Sequence, residues 1–77
     1  MSMGFEVTKE DVFTVMRHRM GITDVEFYSS ECENAWEIVS GHADEIEAEA
    51  LKGDDLDQQT EYAHNKIEEI LMFEVYG

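Results

Sequence analysis

A chain of 77 residues with 19 Asp and Glu against 5 Lys and Arg carries a formal charge of −14, and 43% of its residues are hydrophobic. That hydrophobic share excludes a disordered acidic tail, and the apolar residues are too interspersed for a membrane span, which takes about 18 or more in a row. A domain this short buries only roughly 60% of the surface its unfolded chain exposes, so residues 1–77 read as a single acidic domain with a small core.

Residues 1–7 read as an extended or disordered lead, with no basic-then-apolar signal segment. Met1-Ser2-Met3-Gly4 resembles a vector remnant or a doubled start; read from Met3, it also fits a short acylation pattern. So acidic a chain would be repelled by an anionic membrane surface, and one acyl chain anchors only weakly. The single cysteine, Cys32, excludes an internal disulfide and favours the reducing cytoplasm.

The first helix opens at Thr8, whose hydroxyl suits an N-cap, with Asp11 in the third helical position as the reciprocal member of a capping box. Val12, Val15, Met16 and Met20 form an apolar stripe. Arg17, His18 and Arg19 favour the negative helix end, and Gly21 stops the helix. Residues 22–29 read as a loop tucking Val25 and Phe27 beneath the helices, with a short strand as the alternative. Ser29 or Ser30 caps the second helix, Glu33 completing a capping box with Ser30, and Cys32, Ala35, Trp36 and Val39 share its inner face. The third helix runs from His42 or Ala43 to Lys52, with Ala43, Ile46, Ala50 and Leu51 inward and Gly53 as its stop; alternatively it continues the second through a kink at Ser40-Gly41. The fourth opens at Asp54 or Asp55 and turns Leu56, Thr60, Ala63, Ile67, Ile70 and Leu71 inward. No proline interrupts any of these segments. The expected fold is therefore all-α, a small bundle of three or four short helices around Val12, Met16, Trp36, Val39, Ile46, Ala63, Ile67, Ile70 and Leu71.

The charge is unevenly placed. Residues 30–77 hold fourteen acids against Lys52 and Lys66, a net of −12, while residues 1–29 carry only −2. Like charges four apart on a helix, such as Glu45 and Glu49, each cost a few tenths of a kcal/mol. Acids are also good solubilising residues, so the sharper reading has to explain why so few cations lie among them. Helix neighbours lie about 5 to 6 Å apart, and duplex DNA carries a charge every 1.7 Å or so of its axis, so a helical carboxylate array suits a Lys/Arg cleft built for nucleic acid. Asp44, Glu45, Glu47, Glu49, Asp54, Asp55, Asp57 and Glu61 are the expected partner-binding residues, and the partner a basic surface of another protein. Direct nucleic-acid binding is not expected, because no basic patch is present.

Other constellations fail on spacing. Glu61-x-x-His64 is half of a di-iron pair and occurs once; a surface His64 paired with Glu61 or Glu68 is the simpler reading. Asp55-x-Asp57 starts like a calcium loop, but Thr60 and Lys66 stand where glycine and glutamate are needed. Glu31 and Glu33 raise the pKa of Cys32 and weaken it as a nucleophile. No catalytic residue, metal or cofactor is expected. The alternative function is a structural or adaptor module working through an apolar surface of Tyr62, Met72, Phe73 and Tyr76, as a homodimer or a docking face. Against this stands a tail folded back on Phe5, Val7 and Phe13.

The stretch Ala50-Leu51-Lys52-Gly53-Asp54-Asp55-Leu56-Asp57-Gln58-Gln59-Thr60-Glu61-Tyr62-Ala63-His64, continuing through Lys66-Ile67-Glu68-Glu69-Ile70-Leu71, resembles small acidic proteins encoded by phages and prophages. The resemblance covers the last third of the chain and includes no motif of assigned role. It implies a mobile-element origin, action in the host cytoplasm, and host-directed inhibition as a DNA mimic or an anti-CRISPR-like protein.

Overall fold

A computed structural model describes residues 5–77. The start Met1-Ser2-Met3-Gly4, with its acylation pattern, lies outside them. Four α-helices are present: α1 Lys9–Thr14, α2 Ser30–Ser40, α3 Ala43–Ala50 and α4 Leu56–Glu74. The described residues contain no strand, and residues 5–8 have no regular structure. At about 1.5 Å per residue the 19-residue α4 accounts for most of the long dimension of a 35 × 22 × 21 Å molecule. α3 and α4 form a hairpin, and α1 packs on both α2 and α4.

Thr8 caps α1 as its sequence position demands. The Asp11 amide donates to the Thr8 hydroxyl, and the Thr8 amide donates back to the Asp11 carboxylate at 2.9 Å. The helix does not end as an α-helix. Val15–Arg19 widen into a π-helical turn, closed by Met20 N–H on the Val15 carbonyl and Ile22 N–H on the Met16 carbonyl. Gly21, at φ +72°, supplies the reversal that brings Ile22 back to Met16.

Residues 22–29 form successive turns. Val25 is buried, and the half-buried Phe27 stacks edge-on against Phe13 at 5.7 Å, with the Lys9 ammonium 4.5 Å from its centroid. Ser29, not Ser30, is the N-cap of α2. Glu33 therefore stands one position too far along for a capping box and instead takes the Lys9 ammonium at 2.6 Å.

α2 and α3 are separate helices. Ser40 spends its hydroxyl on the Glu37 carbonyl, and the chain turns at Gly41 and His42 through short-range bonds to the Ile38 and Val39 carbonyls. The His42 ring then braces the corner, with Nδ1 3.2 Å from Glu45 and Nε2 3.3 Å from Glu74 at the far end of α4. α3 ends at Ala50, two residues short of Lys52. Beyond it the chain turns so tightly over α4 that a Cβ on Gly53 would lie 2.7 Å from the Gln59 amide nitrogen.

Val12, Val15, Met16, Val25, Cys32, Ala35, Val39, Ile46, Ala63, Ile67 and Leu71 are fully or almost fully buried, and Trp36 is half-buried against them. Two residues expected inward are not. Leu51 is 56% and Leu56 67% exposed. Each has the right helical phase, but they flank the 51–55 turn, past the end of α3, where no element lies opposite to cover them.

Candidate protein-binding surface

The few cations decide which carboxylates remain unmatched. Lys9 pairs with Glu33, Arg19 with Glu61 at 3.0 Å and Glu68 at 3.4 Å, Lys52 with Glu49 at 3.1 Å, and Lys66 with Glu69 at 3.6 Å. Arg17 has no ion-pair partner among the described residues and lies over the Phe13 ring. Four of the five Lys and Arg side chains are thus committed to acids within the chain.

The eight expected binding residues divide into groups. Asp44 and Glu45 are exposed on the outer side of α3. Glu47 and Glu49, two residues apart, point about 200° from each other around the helix, on opposite flanks of the seam that buries Ile46 and Ala50. Glu47 is half-buried and accepts the Val7 amide at 3.4 Å, tying residues 5–8 to α3. Glu45, Glu47 and Glu49 therefore do not make one face. Asp54, Asp55 and Asp57 lie together on the turn and the first residues of α4, all exposed. Asp55 is the N-cap, accepting the Gln58 amide at 2.9 Å, and the Asp54 amide donates to the Gln58 side chain at 2.7 Å. Glu61 faces away from this corner, toward Arg19. Asp44, Asp54 and Asp57 have no ion-pair partner among the described residues. Leu51 and Leu56 add exposed apolar area to the same corner.

His64 pairs with neither Glu61 nor Glu68. Its Nε2 lies 3.0 Å from Asp11 of α1, and both side chains are largely enclosed. Burial works against the ionised Asp11 carboxyl, but bonds from His64 and from the Thr8 amide and hydroxyl outweigh it and hold its pKa below the usual carboxylate value. Neither the spacing nor the pattern of the sequence connects these residues, which lie 53 positions apart. Cys32 is a free, fully buried thiol. Its pKa is raised first by burial; Lys9 opposes this, and Glu33 and Glu31 add to it. No group of three or more His, Cys, Asp or Glu among the described residues is arranged to hold a metal ion.

The apolar residues at the other end of α4 also divide. Val75 is half-buried against the core, and the Tyr76 hydroxyl donates to Glu31 of α2. Partial burial and that carboxylate push the phenol pKa up. Met72 and Phe73 lie inside α4, not beyond it, and are 54% and 77% exposed. An open cleft of about 140 Å³ lies on the outer side of the α3–α4 hairpin, lined by Glu49, Tyr62, Asn65, Lys66 and Glu69. No described helix is long and apolar enough to cross a membrane. In comparisons with protein-family models, curated proteins and solved structures, the chain matches none.

Proposed function

We propose that this chain is a non-enzymatic acidic binding protein that lays the outer side of α3 and the α3–α4 corner on a basic surface of another protein, of the kind that holds nucleic-acid phosphates. The observation that carries the reading is the division of the cations. Four of the five Lys and Arg are held by acids, Lys52 by Glu49 beside the turn itself, and Asp44, Asp54 and Asp57 are among the exposed carboxylates left without an ion pair among the described residues, with Glu45 next to Asp44 and Asp55 next to Asp54. Glu47, Glu49 and Glu61, each engaged within the chain, contribute to the field more than to contacts. The net charge of −14 steers encounter with a cationic surface and makes the on-rate salt-sensitive. Rim ion pairs contribute only about 0.2 to 1 kcal/mol each, so affinity comes from several together and from Leu51 and Leu56 where they are covered. A phage-type inhibitor of a nucleic-acid-binding host protein, acting in the cytoplasm, fits this chemistry.

The test uses the whole chain as bait, followed by titration of the captured protein at low and high salt and with DNA as competitor. The captured protein is expected to bind nucleic acid, DNA is expected to displace the chain, and affinity should fall as salt rises. The triple variant Asp44→Asn, Asp54→Asn, Asp57→Asn should lose about tenfold or more in affinity, on the order of 1.4 kcal/mol, with unchanged helix content. A triple variant that binds as tightly as the parent at low salt removes the reading.

A further inference from the structure

We propose that the outer stripe of α4 joins two copies of this chain as an antiparallel pair. Tyr62, Lys66, Glu69 and Phe73 follow one another at spacings of four, three and four, which on a helix makes one continuous line. The line faces away from the core, since Ala63, Ile67, Ile70 and Leu71 hold the buried side of α4. It ends on Phe73, the most exposed apolar residue of α4, and it borders the cleft lined by Tyr62, Asn65, Lys66, Glu69 and Glu49.

The line is self-complementary. In an antiparallel pair, the register that sets Lys66 opposite Glu69 of the second copy also sets Tyr62 opposite its Phe73. Both pairs share one midpoint, between Ile67 and Glu68, so a two-fold axis there makes each contact twice, as an isologous interface requires. Phe73 of each copy then lies on the cleft of the other, against the Tyr62 ring and the methylene stems of Lys66 and Glu69. Lys66 and Glu69 are also available for exchange. Their contact within the chain, at 3.6 Å, is the longest ion pair among the described residues.

Charge selects a second copy over a basic partner at this stripe. It carries one cation and one anion and so has no excess charge to match a cationic surface. The −14 on each chain opposes pairing, so dimerisation strengthens as salt screens it. That is the reverse of the salt response expected for docking through Asp44, Asp54 and Asp57, and the two surfaces stand or fall separately.

Sedimentation equilibrium of the full chain, up to millimolar concentration at low and high salt, tests the pairing. A monomer–dimer equilibrium that tightens with salt is expected. Phe73→Gln should abolish the dimer while leaving the circular dichroism and melting curve unchanged, because Phe73 is exposed in the single chain. Lys66→Glu and Glu69→Lys should each weaken the dimer by about tenfold, through like charges at two symmetric contacts, and the double swap should restore it. A monomer at millimolar concentration in high salt overturns the proposal. So does a dimer that Phe73→Gln leaves intact or that the double swap fails to restore.

Discussion

Along the seam that α1 and the π-helical turn after it make with α4, Asp11 meets His64 at 3.0 Å and Arg19 reaches both Glu61 and Glu68, with each carboxylate facing a cationic or donor group on another element. On the outer side of α3 and at the α3–α4 corner, Asp44 at the start of α3 and Asp54 and Asp57 at the start of α4 face solvent, and none forms an ion pair among the described residues. The same residue types fasten helices in one region and leave a naked field in the other. Composition cannot distinguish these uses, because a net charge of −14 only sums them. The number of carboxylates says less about function than where the few cations are spent, and here they lie mostly away from the corner.

The largest effect belongs to the seam. Asp11→Ala removes half of the Thr8 capping box and leaves the enclosed His64 without its partner. The Asp11 amide can still donate to the Thr8 hydroxyl, so only the reciprocal bond of the box is lost. An orphaned polar group in a largely enclosed site costs about 1 to 3 kcal/mol, so a loss of roughly 2 kcal/mol is expected. For a domain of this size, whose total stability is of the order of 4 to 12 kcal/mol, urea denaturation will show the midpoint fall plainly. A change of less than half a kcal/mol would mean that the seam does not fasten α1 to α4.

The pH response sharpens the same point. The Asp11 pKa is lowered in the folded chain, so its contribution is fully present above the unfolded carboxylate value of about 3.9 and is lost as pH falls through the folded value. Asp11→Asn should therefore be less stable than the parent at neutral pH, and the gap should close as pH drops below about 4. A gap that is constant across that range would show that the ionisation of Asp11 is not what stabilises the seam. Arg19→Ala is next in size. Its guanidinium is mostly enclosed but its partners are more open, so about 1 kcal/mol is expected from the two pairs together, measured by urea denaturation and reduced at high salt.

The local features of the fold were legible because their signals lie within a few residues of each other. Thr8 with Asp11, the Gly21 stop, the Asp55 cap and the inner face of α4 each fit inside one or two helical turns. What failed needed distance. Ser29 and Ser30 are equally good caps, and Glu33 is drawn to Lys9, 24 residues away. Leu51 and Leu56 have an inward phase, but phase says nothing about where a neighbouring helix ends. The π-helical turn at Val15–Arg19 leaves no mark in the pattern. In the candidate surface, the turn acids were legible as a cluster. That Glu45, Glu47 and Glu49 do not share a face follows from helical spacing alone, whereas the capture of Glu47 by Val7 and of Glu61 by Arg19 depends on tertiary contacts.

The smallest effect is expected at the corner, and its smallness is informative. Asp44 and Asp57 stand in the first turns of α3 and α4, where a negative charge is favoured by about 0.3 to 1 kcal/mol through the helix dipole. Each also repels the acids around it by a few tenths of a kcal/mol per neighbour, Asp44 having Glu45 beside it in α3 and Asp57 having Asp54 and Asp55 beside it at the start of α4. Neutralising both, as Asp44→Asn with Asp57→Asn, removes a favourable and an unfavourable interaction of similar size. The net change in stability should stay within about 0.5 kcal/mol of zero, as surface substitutions do, and it should vary little with salt because screening weakens both. Urea denaturation at low and high salt checks this. A loss above about 1 kcal/mol, the size of a lost cap, would show that these carboxylates hold the corner together as Asp11 holds the seam. The contrast between the two regions would then disappear, and with it the reason to assign the corner to a partner.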